Sequence, residues 1–226
     1  MPYHRTEQVA RRLAARHAAI IAAARQAARE GGMAAVQIAP VAERAGIAAG
    51  TVYRYFAGKT ELIAALLDEI SGREIDALRG AAAAAPGPLS ALAAAFMTFA
   101  ARALGERRLF FAAIAEPVDA ELDAARCSFR KALAAEFAAL LAAAIADNHV
   151  PEQDTVLFGA AIVGLLVEGL IGPLAPGAAG REREIVQSLA LVALRGLGVT
   201  DARARGLVVQ TPIPRQQSDG GHPIPD

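Results

Sequence analysis

Residues Val36 to Leu62 carry the most informative pattern in the chain and read VQIAPVAERAGIAAGTVYRYFAGKTEL. Two short segments, 38–45 and 49–55, have helical character, and Gly46 lies between them. A tight turn at that point requires a residue that tolerates a positive φ angle, as glycine does. The pattern therefore predicts a helix-turn-helix, in which the second helix enters the major groove of DNA.

The residues of the second segment suit a helix that must fit into a groove. The major groove is about 12 Å wide, so it admits a helix only where the exposed side chains are small. Ala48, Ala49 and Gly50 keep the start of the segment slim. Hydroxyl groups and positive charges follow at Thr51, Tyr53, Arg54 and Lys59. On the opposite side, Val41 and Val52 are expected to pack between the two helices.

Charge is distributed unevenly along a chain whose formal net charge is zero. The first 59 residues contain nine basic and three acidic side chains, a formal charge of +6, and the remaining residues carry −6. A basic N-terminal quarter on an acidic body indicates a polyanionic partner for the first part alone. Nucleic acid is such a partner.

Composition and periodicity predict an all-α protein of about nine helices. Of the 226 residues, 54% are hydrophobic, which is enough for a sizeable core. Alanine, the best helix former, is abundant. Besides the two short helices above, apolar residues recur at helical spacing in seven segments: 7–30, 60–79, 88–105, 106–115, 119–148, 152–171 and 181–197. Thr60 is the expected N-cap of the helix that it begins.

One segment, Val156–Ala175, is long and apolar enough to be mistaken for a membrane span. However, Glu168 lies inside it and Pro173 interrupts it. An acidic residue at the centre of a span costs roughly 2.5–3.5 kcal/mol on insertion scales. We therefore expect the segment to be a buried helix of a soluble bundle.

The stretch from Val36 to Leu62 resembles the DNA-binding domain of the tetracycline-repressor (TetR) family. The resemblance covers about residues 9–70, with the motif at about 37–56. It rests on a turn, a group of aromatic residues and a lysine at fixed spacing: Ala45-Gly46-Ile47, Gly50-Thr51-Val52-Tyr53, Tyr55-Phe56, Lys59 and Leu62. It implies a three-helix DNA-binding domain, followed over 71–198 by a helical body that dimerises and binds an effector.

The resemblance also implies roles for single residues. Four side chains match family positions that contact DNA, mostly through phosphates: Thr51, Tyr53, Tyr55 and Lys59. Gly50 lets the backbone approach, and Ala49 matches a position near the base edges. Gln37, at the start of the first motif helix, is the only polar candidate there for a phosphate contact. The expected DNA-binding set, with the charged Arg54 included, is Gln37, Ala49, Gly50, Thr51, Tyr53, Arg54, Tyr55 and Lys59.

The body is expected to dimerise through helices 152–171 and 181–197, because small residues from Gly159 to Gly164 permit close helix contact. The effector pocket is expected among the middle helices, with the candidates Phe96, Phe99, Phe110, Phe111, Phe129 and Glu168. Glu168 either contacts the ligand, pairs with an arginine across the dimer or reaches solvent at a pocket rim. Residues 199–226, rich in proline and glycine, are expected to form a flexible tail.

Signals for catalysis are weak. The four histidines lack metal-ligand spacing, and no nucleophile has a base at a recognisable distance. The single cysteine, Cys127, excludes an internal disulfide and is expected to be a small core residue. We predict no catalytic residue, metal or cofactor, and a cytoplasmic location, since no signal-peptide pattern begins the sequence.

Two hypotheses about function stay open. The first is a dimeric transcriptional regulator, most often a repressor, that a small molecule releases from operator DNA. The second is an all-α enzyme or scaffold protein whose basic N-terminal helices only resemble the motif. A band shift with palindromic DNA from the neighbouring promoter would separate the two.

Overall fold

The computed structural model describes residues 3–117, 120–175, 177–178 and 180–213, and within these ranges the protein is all-α, as predicted. A short 3-10 helix, Met33–Ala35, follows the first helix. The α-helices are α1 (Tyr3–Gly31), α2 (Ile38–Arg44), α3 (Ala49–Val52), α4 (Lys59–Ala83), α5 (Pro88–Gly105), α6 (Arg107–Ile114), α7 (Ala120–Ala146), α8 (Thr155–Leu174), α9 (Glu182–Gly196) and α10 (Asp201–Gln210).

Local sequence explains where the helices begin and end. α1 ends at Gly31, and Gly32 follows with a φ angle of 74°, where a side chain would collide with Glu116 and Arg108. α4 begins one residue before the predicted N-cap, Thr60. The carboxylate of Glu61 reaches back to accept a hydrogen bond from the amide of Ala57, so a first-turn acid stabilises this helix start.

The chain divides into two compact units. The first contains the described residues up to Ile75, together with Glu106–Leu133 and Leu174–Gly177, so the predicted DNA-binding segment 9–70 lies entirely within it. Its core includes Ile20, Val41, Val52, Leu66 and Leu109. The second contains Asp76–Gly105, Ala134–Pro173 and the described residues from Ala178 onward, with Phe96, Phe99, Phe137, Leu166 and Leu194 in its core.

A network of ion pairs joins three helices inside the first unit. Arg25 of α1 is almost fully buried, and it donates to both oxygens of Glu69 in α4 at 3.1 and 3.2 Å. It also donates to both oxygens of Glu106, which directly precedes α6, at 2.9 and 3.0 Å. Arg29 donates to the same Glu106 at 2.9 and 3.1 Å. Burial raises the pKa of Glu106, but the hydrogen bonds from Arg29 and Arg25 outweigh it and hold that pKa below its usual value.

The last described helix corrects one prediction. Residues 199–226 were expected to form a flexible tail, but Asp201–Gln210 is α10, with Ala204 and Val208 buried in the second unit. The rest of the predicted tail, 214–226, lies outside the described residues. The proline-rich composition that suggested a tail is concentrated after Thr211, whereas the preceding segment contains no proline.

Two further expectations about burial are wrong. Cys127 is exposed on α7, so it is no core residue. Two helices, Pro88–Gly105 and Thr155–Leu174, are long and apolar enough to cross a membrane by length and composition alone. In the first helix 72% of the residues are buried, as in the core of a soluble protein, whereas in the second only 33% are buried. The expected all-round burial of α8 is therefore not reached within a single chain.

Candidate nucleic-acid interface

The turn between α2 and α3 has the geometry that the sequence predicts. Gly46 has a φ angle of 66°, and no atom lies within 4 Å of the position that a Cβ would occupy. The amide of Gly46 donates to the carbonyl of Glu43, and that of Ile47 donates to the carbonyl of Ala42, both at 3.0 Å. This pair of bonds is a Schellman motif, which ends α2 and redirects the chain into α3. Glycine is needed here because of its backbone conformation, since space alone would admit a side chain.

A small apolar core holds the two helices of the motif together. Val41 and Val52 are fully buried, as predicted, and Phe56 is 3% exposed. The ring of His17, from α1, lies 5.1 Å from that of Phe56 and 6.3 Å from that of Tyr55. The recognition segment is thus anchored on its inner side to α1. It begins as the α-helix Ala49–Val52 and continues as a tight turn to Phe56.

The predicted DNA-binding residues lie at or near the surface. Gln37, Gly50, Tyr53 and Arg54 are exposed, with Tyr53 at 56%, and Ala49, Thr51, Tyr55 and Lys59 are half-buried. Gln37 occupies the N-cap position of α2 but does not cap it, because its amide nitrogen donates to the carbonyl of Ala34 at 2.8 Å. Lys59 is the first residue of α4.

Two arginines outside the predicted set lie beside this surface. Arg12 and Arg16 of α1 line a groove of about 830 Å³ together with Thr51, Arg54 and Tyr55. In the sequence, both arginines contribute only to the basic excess of the first 59 residues. Their spacing of four residues, on the stripe of α1 that continues into buried Ile20, is the signal that would have identified them.

The predicted effector residues are divided between the two units. Phe96 and Phe99 are buried in the second unit, and Phe110, Phe111 and Phe129 belong to the first, where Phe110 is buried and the other two are half-buried. Glu168 is exposed on α8, so in a single chain it needs no buried partner. A cavity of about 500 Å³ in the first unit is lined by other residues, including Met33, Lys59 and Glu116.

Metal-ligand clusters are absent from the part of the chain that the structure describes: it contains no group of three or more His, Cys, Asp or Glu side chains arranged to hold an ion. The geometry instead combines a helix-turn-helix with an exposed polar and basic edge. That combination defines a helix-turn-helix DNA-binding protein.

Comparison with known proteins agrees with this class. Residues 20–66 match the family described as bacterial regulatory proteins, tetR family. The fold resembles that of RolR in complex with resorcinol, with a TM-score of 0.66 and 22% identity over 91% of this chain and 98% of that one. It also resembles the fatty acid degradation regulator FadR of Bacillus halodurans, with a TM-score of 0.69 and 23% identity over 82% and 97%.

A third similar structure is FadR of Bacillus subtilis in complex with stearoyl-CoA, with a TM-score of 0.65 and 21% identity over 76% of this chain and 96% of that one. No functionally curated protein matches the sequence closely enough to count as a relative. The family match nevertheless decides what this part of the chain is: residues 20–66 form a helix-turn-helix segment similar to that of bacterial regulatory proteins of the tetR family.

Proposed function

We propose that the protein is a homodimeric transcriptional repressor that a small molecule releases from its operator. The observation that supports this most directly is the helix-turn-helix itself, whose recognition segment is anchored inward by Phe56 while Tyr53 and Arg54 face solvent. In this proposal, the DNA contacts come from Gln37, Ala49, Gly50, Thr51, Tyr53, Arg54, Tyr55 and Lys59. The protein acts in the cytoplasm, where its operator is.

Dimerisation is supported by the unsatisfied apolar face of α8. This helix is apolar along most of its length, yet Val156 and Leu157 are 76% and 62% exposed. Ala160, Ala161 and Gly164 continue the exposed face one and two turns further on. Gly159, in contrast, packs within the chain, because an added Cβ would lie 2.5 Å from the carbonyl oxygen of Ala134.

A second copy of the chain is the occupant that this face requires, because a large exposed apolar patch on a soluble protein marks an interface. α9 contributes Val192, which is 53% exposed. Two such helix pairs would build the four-helix dimer core expected from the sequence, with α8 and α9 in place of the predicted 152–171 and 181–197.

The dimer is tested by placing a charge on this face. Ala161→Arg is expected to yield a monomer in light scattering after size-exclusion chromatography, because the new guanidinium would have to be buried without a partner. Ala135→Arg, at an exposed position of α7, is the matched control and is expected to leave the dimer intact. A wild-type protein that is monomeric at micromolar concentration contradicts the proposal.

Operator contact is tested at the recognition segment. Thr51→Ala and Tyr53→Phe each remove one hydroxyl hydrogen bond, which is worth about 0.5–1.5 kcal/mol and more when the acceptor is charged. Each variant is therefore expected to reduce affinity in band shifts with DNA from the neighbouring promoter, without loss of fold or dimer. Unchanged affinity in both variants argues against recognition through 49–55.

Lys59 separates phosphate contact from base recognition. Lys59→Ala is expected to weaken binding to all DNA sequences alike. The slope of log affinity against log salt is expected to fall by about one, which corresponds to one lost phosphate contact. The chain's other lysine, Lys131, is exposed on α7, so Lys131→Ala is the charge-matched control. A changed operator preference in Lys59→Ala shows that the lysine reads bases.

Release by a small molecule is supported by two of the similar structures, which hold resorcinol and stearoyl-CoA. α4 follows the recognition segment directly and extends over 25 residues, about 38 Å at 1.5 Å per residue. In this proposal, effector binding tilts α4 and changes the spacing of the two recognition segments. Their centres must lie about 34–36 Å apart, or a multiple of that, to reach successive major grooves.

The effector is sought first as a ligand that co-purifies with the protein, identified by mass spectrometry. Spin labels at Arg54→Cys in both subunits then report the spacing, in a Cys127→Ser background, because Cys127 is exposed and would otherwise be labelled. A ligand that releases DNA is expected to shift or broaden the distance distribution. Release with an unchanged, equally narrow distribution refutes the proposed tilting of α4.

A further inference from the structure

The N-terminal half of α1 extends beyond the body of its own unit. From Glu7 to Ala19 every side chain is exposed, whereas Ile20 and most residues of the following two turns are buried. Thirteen residues correspond to about 20 Å of helix. An α-helix of this length stays exposed at a cost in stability unless something covers it, because isolated helical turns are marginal in water.

One face of this projecting segment carries both apolar and basic side chains. Val9, Arg12, Leu13 and Arg16 occupy positions i, i+3, i+4 and i+7 of the helix, so they form one stripe. The stripe continues through Ile20, which is fully buried. Consequently the same face of α1 packs on the helix-turn-helix in its C-terminal part and extends beyond it in its N-terminal part.

The overhang and the recognition segment enclose the groove of about 830 Å³. α1 contributes Val9, Arg12, Leu13 and Arg16, and the motif contributes Ile47, Thr51, Arg54 and Tyr55. The contact of His17 with Tyr55 and Phe56 lies at the base of the overhang and sets the position of one wall against the other. The groove therefore brings three guanidinium groups and two hydroxyl groups together beside the recognition segment.

The arginines of the N-terminal region fall into two groups. Those outside the groove whose side chains the structure describes have carboxylate partners: Arg11 with Glu7, Arg25 with Glu69 and Glu106, Arg29 with Glu106, and Arg44 with Glu30. Among the described residues, no carboxylate lies within ion-pair distance of Arg12, Arg16 or Arg54, the three that line the groove. Three cations that converge on one groove without an anion repel each other, so the groove suits an anionic occupant.

We propose that this groove holds the sugar–phosphate backbone of one DNA strand, so that α1 clamps DNA from outside the helix-turn-helix. The inference rests on the DNA-binding function and adds Arg12 and Arg16 to the residues that contact the operator. The rise from Arg12 to Arg16 is about 6 Å along the helix, which is short enough for both guanidinium groups to reach neighbouring phosphates of one strand. Val9 and Leu13, both 51% exposed, lie on the same stripe as the two arginines. In this proposal they contact the deoxyribose rings.

Salt dependence measures these contacts directly. Each phosphate contact contributes about 0.9 to the slope of log K against log salt. At 0.1 M salt, one contact therefore raises the affinity roughly eightfold relative to its value at 1 M salt. We expect Arg12→Ala/Arg16→Ala to lower the slope for a fluorescent random-sequence duplex of 40 base pairs by about 1.8, and the affinity at 0.1 M salt by roughly 60-fold. Arg12→Lys/Arg16→Lys is expected to restore most of the slope, since the charge remains.

Arg11→Ala is the matched control, because it removes the same charge from the same overhang but lies outside the groove and pairs with Glu7 at 4.0 Å. Its slope is expected to change by less than half of the change for one groove arginine. An equal change for Arg11→Ala overturns the proposal, because overall charge alone would then explain the effect. A double variant with the wild-type slope also overturns it.

The same titrations separate this inference from the function on which it rests. If Lys59→Ala lowers the slope and the groove variants do not, DNA binding stands and the clamp is wrong. If the wild-type protein binds no DNA at all, the function itself fails. Groove variants that keep DNA affinity but lose binding to vesicles of anionic lipid assign the groove to a membrane surface and likewise refute the clamp.

Discussion

The ion-pair network around Arg25 is predicted to be a principal source of stability in the first unit. Arg25 has a side chain that is 5% exposed and donates four hydrogen bonds of 2.9–3.2 Å to two carboxylates. Arg25→Met removes the charge but keeps most of the apolar stem, so it tests the ion pairs rather than side-chain volume. The two carboxylates are left behind with fewer partners.

The expected loss of free energy of unfolding depends on which ion pairs Glu69 and Glu106 keep in the variant. Removing one partner from a buried pair costs about 3–5 kcal/mol. Here Glu69 and Glu106 are 28% and 27% exposed and keep Arg73 and Arg29 as partners, so the lower end applies. A loss of about 3 kcal/mol in a chain of this size corresponds to a fall in Tm of about 6–12 °C. Thermal unfolding followed by far-ultraviolet circular dichroism at neutral pH measures it.

The control is Arg44→Met. Arg44 pairs with Glu30 at 2.6 Å, but both side chains are 40% exposed or more, and exposed ion pairs contribute little. Its Tm is expected to fall by less than half as much as that of Arg25→Met. Equal shifts in the two variants refute the reasoning, because burial would then make no difference. Arg25→Met/Glu69→Gln is expected to recover part of the loss, since it removes one of the stranded charges.

Three further predictions concern single features of the fold. Gly46→Ala is expected to destabilise by about 1–2 kcal/mol, the cost of a left-handed conformation for a residue with a Cβ, and Gly46→Asn by less; equal Tm values for wild type and Gly46→Ala contradict it. The pKa of Glu106 is lowered in the folded state, so its ionised carboxylate contributes its full stabilisation above the ordinary pKa of 4.5 and loses it as pH falls through the folded value. The difference in Tm between the wild type and Glu106→Gln is therefore expected to become smaller as pH is lowered below 4.5. Ending the chain at Thr200 should lower Tm, because α10 buries Ala204 and Val208; an unchanged Tm would show that α10 adds no stability.

Much of the fold was predictable because helices leave local signals. The spacing of apolar residues and the glycines and prolines that interrupt it predicted nine helices, and each is present within a few residues of its expected bounds. Gly46 predicted a turn that only glycine forms without strain, and its φ angle of 66° confirms the reason. The recognition segment could be found because its requirements for groove fit and backbone geometry fall within about twenty consecutive residues.

What the sequence could not decide was burial and partnership. Cys127 and Glu168 both lie on long helices with apolar neighbours, and both are exposed, because a helix places successive residues on different sides and only packing decides which side is covered. α10 was missed because its short stripe of buried residues stabilises a helix only when packed against the rest of its unit.

The helix-turn-helix was predictable from local sequence, since the turn, the recognition segment and the basic excess are local properties. Tertiary packing, in contrast, sets which arginines form ion pairs within the fold and which line the groove. Arg12 and Arg25 look alike in sequence, but Arg25 meets Glu69 and Glu106, which lie 44 and 81 residues away, whereas Arg12 lines an open groove. A charge is structural or functional according to what folding brings within hydrogen-bond distance of it, and separations of that length leave no local signal.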